Sequence, residues 1–276
     1  VSTHLCSANV HANGIRQHYI RYRGAGAAAS RGDPVILLPG ITSPAITWGF
    51  VGERLGAALD VYILDIRGRG LSESDDSLDY SLAAQAADVI ALAAALGLER
   101  YSLLGHSMGA RIAARVARTQ PVGLARMVLV DPPVSGPGRR PYPMQLDWYL
   151  ESIRLARRGM DASAMRRFCP TWTEQELQLR AEWLHTCSER AVTASFDGFA
   201  TDDFHADLRG ARIPTLLMTA SRGDVVRDAD VRECQSLVPG LVHVRVPDAG
   251  HMIPWDNEEG FHAALGNWLG APAPGR

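Results

Sequence analysis

The chain is short of the features that mark several functional classes, and each scarcity narrows what it can be. Only four of 276 residues are cysteine, and Cys6, Cys169, Cys187 and Cys234 are scattered with no C-x-x-C pair. That argues against a disulfide framework or a zinc site and leaves reduced, buried or half-buried thiols. Charge of one sign is also missing: 28 basic against 30 acidic side chains give a formal net charge of −2, no footprint for nucleic acid or an anionic membrane. No apolar run approaches a membrane span, and Val1-Ser2-Thr3-His4 lacks the basic-then-apolar pattern of a secretory signal. A cytoplasmic location is the expectation, with no membrane or nucleic-acid partner. Repeats and low-complexity stretches are absent as well, apart from an Ala/Gly turn at residues 24–30 and a frayed tail at 270–276.

What is present is a hydrophobic content of 46%, ordinary for a globular chain with a sizeable core. Residues 7–23 alternate around Asn13-Gly14, which predicts an antiparallel hairpin. Short apolar runs then alternate with helical patterns: strands at 35–38, 61–64, 102–104, 125–130, 215–218 and 241–246, helices at 48–59, 81–96 and 258–269. Such alternation implies right-handed crossovers and an α/β fold with a mostly parallel, eight-stranded sheet. Between Pro132 and Ile213 the alternation stops, and four helical segments rich in Trp and Met follow, at 145–158, 161–167, 174–187 and 188–199. The expected organisation is a core of residues 1–132 and 213–276 with a helical cap, 133–212, inserted after the sixth strand.

The chemistry centres on Gly105-His106-Ser107-Met108-Gly109, which follows the apolar pair Leu103-Leu104 and precedes a helix of small and apolar residues. A strand–turn–helix carrying G-x-S-x-G strains the serine backbone and exposes its hydroxyl, while flanking glycines admit close packing. Ser107 is therefore the candidate nucleophile. In a parallel sheet the reactive groups gather at the C-terminal ends of the strands. Asp131 ends one strand there, and Asp248-Ala249-Gly250-His251 follows the last. Ser, Asp and His run in the chain order expected of a triad on this type of fold. His251 would be the base. For the orienting acid, Asp131, stiffened by Pro132-Pro133, and Asp224, on a Gly turn after the next strand, both stay open. The oxyanion hole should use the N–H groups of Met108 and Ile41, with Thr42 and Ser43 near enough to add a hydroxyl. Asp65-Ile66-Arg67-Gly68-Arg69-Gly70-Leu71-Ser72 lacks phosphate-loop spacing and reads as a structural turn in which Asp65 and Arg67 tie neighbouring loops.

Together Leu37-Leu38-Pro39-Gly40, Asp65 to Ser72, Gly105 to Gly109 and Ala249-Gly250-His251 resemble the recurrent landmarks of α/β-hydrolases over almost the whole chain. Pro39 stands where the oxyanion loop of that family usually carries histidine. More narrowly, Gly40-Ile41-Thr42-Ser43-Pro44, Asp131-Pro132-Pro133-Val134, Ala181-Glu182-Trp183-Leu184-His185 and Gly250-His251-Met252-Ile253-Pro254-Trp255 resemble the deformylase family of bacterial nicotinate degradation. This resemblance implies a triad of Ser107, Asp131 and His251. It also implies cofactor-free hydrolysis of N-formylmaleamate to maleamate and formate. An anionic substrate of this kind calls for a fixed cation, and Arg111, Arg139 and Arg140 are the candidates beside the catalytic edge. Trp148, Tyr149, Trp172, Trp183 and His185 would roof the pocket. The other readings are a small-acyl carboxylesterase, a carbon–carbon bond hydrolase, or a ligand receptor that keeps the fold without turnover.

Overall fold

The computed structural model describes residues 2–24 and 32–270, so most of the turn expected at 24–30 and the tail beyond 270 lie outside the described residues. Strands β1 (His4–Ala12) and β2 (Ile15–Tyr22) form the expected hairpin. Its turn places Asn13 at φ 53° and Gly14 at φ 75°, both in the left-handed region that a two-residue hairpin loop demands. Six further strands complete the sheet: β3 (Val35–Leu38), β4 (Val61–Leu64), β5 (Tyr101–His106), β6 (Leu124–Val130), β7 (Thr215–Ala220) and β8 (Val242–Val246). Their order is β1-β2-β4-β3-β5-β6-β7-β8, antiparallel over the first two pairings and parallel thereafter. Every residue of β3, β4, β5 and β7 is buried, as continuous apolar runs covered on both faces should be.

The covering helices are α1 (Gly49–Gly56), preceded by a 3-10 turn at Ala45–Trp48, then α2 (Leu82–Ala95) and α3 (Met108–Arg118). Ser81 caps α2, its hydroxyl accepting from the Ala84 N–H. The stretch between β6 and β7 carries α4 (Leu146–Arg157), α5 (Ala162–Met165), α6 (Glu174–Trp183), α7 (Glu189–Thr201) and α8 (Phe204–Gly210). Thr173 and Glu176 start α6 with a reciprocal capping box. After β7 come α9 (Asp228–Leu237), α10 (Ile253–Asp256) and α11 (Glu258–Leu265).

Several helices depart from the sequence reading. The sequence pattern predicts no helix at α8, α9 or the four-residue α10; α9 buries only Val231 and Cys234, whereas α8 buries Phe204, His205, Asp207 and Leu208. The closing helix, expected to reach residue 269, stops at Leu265 because Gly266 turns left-handed at φ 46°. α8 packs against α3, where Arg115 and Arg118 reach the fully buried Asp207. It thus brings the chain back onto α3 before β7. Among the described residues no helix is long and apolar enough to cross a membrane.

Candidate active site

Ser107 sits between β5 and α3 with φ 54° and ψ −116°, a conformation that non-glycine residues rarely adopt. The surroundings enforce it. The Ser107 N–H donates to the Val130 carbonyl at 2.8 Å. A Cβ on Gly105 would come within 2.2 Å of the Gly109 carbonyl oxygen, and one on Gly109 within 1.9 Å of that of Leu38. The two glycines of the motif are therefore required by close backbone approach, which carries α3 directly off the strand.

Asp131 is also left-handed, at φ 44°. Its N–H donates to the Met218 carbonyl at 2.8 Å, and its Oδ1 accepts from the Ala220 N–H at 3.3 Å. The other oxygen, Oδ2, lies 2.7 Å from His251 Nδ1, and His251 Nε2 lies 3.0 Å from Ser107 Oγ. Ser107 and Asp131 are 1% exposed. Asp224 is not brought to His251: its carboxylate pairs with Arg227 at 2.7 and 2.8 Å on the surface. Behind the histidine, His106 Nε2 contacts the His251 carbonyl at 2.9 Å. Burial, reinforced by the neighbouring His251, pushes the His106 pKa down to about 3, so the ring stays neutral and Nε2–H acts as a fixed donor.

Ser107 and His251 open onto a cavity of about 360 Å³ walled by Ile41, Thr42, Ser43, Tyr142, Tyr149 and Arg180, with Met144, Trp148, Phe168 and Met252 supplying apolar surface. Tyr142 Oη stands 3.4 Å from His251 Nε2 and 3.2 Å from Tyr149 Oη. Burial raises both phenol pKa values, which keeps them as O–H donors. Arg69, 1% exposed, reaches the loop after β3. Its Nε donates to the Ile41 carbonyl at 3.1 Å, Nη2 to the Ala191 carbonyl and Ser195 Oγ at 3.0 and 2.9 Å, and Nη2 lies 3.6 Å from Met108 Sδ. One guanidinium thus links the loop after β3, the start of α3 and α7. The loop from Asp65 is structural as expected: Asp65 binds His18 at 2.7 Å and the Ala45 N–H at 2.6 Å, and Arg67 pairs with Asp88 at 2.5 Å.

The arginines proposed from sequence as a carboxylate clamp are bonded elsewhere. Arg111 is buried beneath the site and donates to the carbonyls of Pro133, Ser135, Gly198 and Asp202. Arg139 forms a two-pronged pair with Glu233 at 2.8 and 2.6 Å. Arg140 holds Asp230 at 2.5 Å and the carbonyls of Asp224 and Val225, which braces the loop that lines the cavity. Trp183 and His185 do not line it either; His185 is exposed and its Nδ1 meets the Glu182 carbonyl at 2.7 Å.

Arg180, Tyr142 and Arg69 were not singled out in the sequence. A signal for Arg180 was available: it shares the buried stripe of α6 with Leu177 and Ala181, and a charge inside an apolar stripe marks a special environment. Tyr142 lies between Pro141 and Pro143, where only a long-range fold could show that its hydroxyl returns to His251.

Comparison with known proteins agrees with this fold. The model of the alpha/beta hydrolase fold family matches residues 33–258. An N-formylmaleamate deformylase of Pseudomonas putida KT2440 is 57% identical over 272 residues, covering 99% of each chain. The crystal structure of a serine-to-alanine variant of N-formylmaleamic acid deformylase from Pseudomonas putida S16 superposes with a TM-score of 0.89 at 55% identity, over 94% of this chain and 100% of that one. E-2-(acetamidomethylene)succinate hydrolase, at 22% identity and a TM-score of 0.75 over 96% and 98% of the two chains, shares the fold. By the family match and by near full-length identity to such an enzyme, the chain belongs to the α/β-hydrolase fold family.

Proposed function

We propose that the protein hydrolyses N-formylmaleamate to maleamate and formate, with Ser107 as nucleophile, His251 as general base and acid, and Asp131 as the carboxylate that orients the imidazole. The observation that carries this reading is the run of hydrogen bonds from Asp131 Oδ2 through His251 to Ser107 Oγ, at 2.7 and 3.0 Å, opening onto a cavity of about 360 Å³. That geometry supports acyl transfer to a small substrate. The 57% identity to a deformylase over 99% of the chain supports formyl as the acyl group.

In this mechanism Ser107 Oγ bonds to the formyl carbon as its proton passes to His251 Nε2. The negative charge on the formyl oxygen meets the N–H groups of Met108 and Ile41, each such donor being worth about 10²–10³ in rate. Collapse breaks the carbon–nitrogen bond, His251 returns the proton to the departing amide nitrogen, and maleamate leaves. Water then gives its proton to His251 and attacks the formyl ester, releasing formate and regenerating Ser107. The reaction is redox-neutral and consumes only water.

Helices within residues 133–212 serve as a cap that excludes bulk water from this step. Four free thiols, three of them buried, fit a reducing cytoplasm. The test is stoichiometric formate release from N-formylmaleamate by purified protein. Efficient hydrolysis of neutral p-nitrophenyl esters without formate from this amide would leave a general esterase instead.

A further inference from the structure

Arg180 differs from the other arginines around the catalytic edge. It is 8% exposed and lines the cavity that Ser107 opens onto. Nη1 and Nη2 donate to the Thr42 carbonyl and Oγ1 at 3.1 and 3.0 Å, while the Nε–H has no partner. Among the described residues no carboxylate pairs with it. Its guanidinium lies 5.5 Å over the Trp172 ring, which fixes the plane of the fork but does not neutralise its charge. By contrast Arg69 and Arg111 are each satisfied by several carbonyl or hydroxyl oxygens, and Arg139 and Arg140 by carboxylates. A nearly buried cation with no countercharge is costly, and an anion seated in the cavity that it lines offsets that cost.

Asp224 also belongs to the lining, with its carboxylate paired to Arg227, and the rest of the wall specifies the anion. Tyr149 and Tyr142 continue from Arg180 toward His251 as phenol donors, and Met144, Trp148, Phe168 and Met252 offer apolar surface. A planar carboxylate on a short unsaturated body fits this wall, with the acyl group left at Ser107. Resting on the deformylase reading for the acyl chemistry, we infer that Arg180 is the receptor for the substrate carboxylate and sets the preference for anionic over neutral acyl compounds. The same guanidinium grips Thr42, the residue after Ile41, so recognition and placement of the oxyanion loop share one group.

The experiment compares wild type with Arg180→Gln and Arg180→Lys on two substrates, N-formylmaleamate and neutral p-nitrophenyl formate, with maleate as a competitive inhibitor of the ester reaction. Arg180→Gln should raise the inhibition constant of maleate about 30-fold and lower the anionic-to-neutral ratio of kcat/KM by about 100-fold, chiefly through KM, on the scale of charge-assisted hydrogen bonds. Arg180→Lys keeps the charge without the planar fork and should fall between, with maleate weakened about 10-fold. A purely structural role would lower both activities alike, leaving the ratio and the maleate constant at wild-type values; that result overturns the inference. If the glutamine variant does not fold, an unchanged maleate constant in the lysine variant overturns it equally. Should wild type release no formate, the deformylase reading fails on its own, and maleate inhibition of ester hydrolysis still decides the role of Arg180.

Discussion

Trp172, in the segment leading to α6, lies flat on Trp255, four residues beyond His251, with ring centroids 4.7 Å apart and planes 4° from parallel. Trp255 meets Trp48 edge-on at 4.8 Å, and Trp48 packs 5.4 Å from His106, whose ring lies 5.0 Å from His251. A continuous column of rings therefore joins the inserted helices to the back of the histidine. Trp172→Ala should cost about 3 kcal/mol in chemical denaturation and weaken the anionic substrate by freeing Arg180. Unaltered stability and KM would show that the column carries no energy.

Ser107→Ala should retain the wild-type fold, because Ala tolerates the loss of one oxygen from a site held by backbone contacts. Turnover should fall by several orders of magnitude, as triad removal does. A fluorophosphonate probe should label Ser107 in wild type and nothing in the variant, by intact mass spectrometry. Turnover by the variant near the wild-type rate would refute the covalent route.

The two acids separate cleanly. Asp131→Asn keeps the shape but presents an amide to Nδ1, which holds the imidazole in the wrong tautomer and should lower kcat by about 10⁴. Asp224→Asn breaks the exposed pair with Arg227 at the cavity rim, leaves His251 untouched and should change kcat less than about twofold. The reverse pattern would mean that the His251–Asp131 bond is incidental.

Burial gives His106 a folded-state pKa of about 3 and His262 one of about 4, both below the ordinary 6.5. Between those values and 6.5 the unfolded chain binds protons that the folded chain refuses, so stability rises with pH there. The contribution is complete above pH 6.5 and is lost as pH falls toward 3. Urea midpoints at pH 7 and pH 4 should show a smaller acid loss for His106→Gln than for wild type. An identical loss would assign the acid sensitivity to other groups.

Much of the sheet was legible because it is written in short range. Fully buried parallel strands must be continuous apolar runs, and the glycines around Ser107 mark a backbone approach that no other residue permits. Boundaries slipped where one residue decided them, as at Gly266. The choice between Asp131 and Asp224 could be leaned on but not decided locally, since each follows a strand and only the loop paths show that Arg227 occupies one of them. The substrate side was the least legible. Arg139 and Arg140 are adjacent, on a stiff loop, in the expected place, yet Glu233 and Asp230 reach them from α9, a helix the sequence pattern did not show. Arg180 required the opposite inference, from a charge standing where an apolar residue belonged.

The four carbonyls gathered by Arg111 have a meaning for engineering. Pro133 and Ser135 belong to the limb leaving the sheet, Gly198 and Asp202 to the limb coming back. Both limbs are thus tied to the core at one guanidinium, beside the separate ties from Arg69 to Ala191 and Ser195 and from Arg180 to Thr42. Lengthening such a segment adds little closure cost, about 0.6 kcal/mol per doubling, so the stretch between those limbs is a natural cassette. Grafting a different helical segment between residues 135 and 198 would present a new wall to Ser107, provided the graft keeps groups that meet Thr42 and Arg69 as Arg180, Ala191 and Ser195 do.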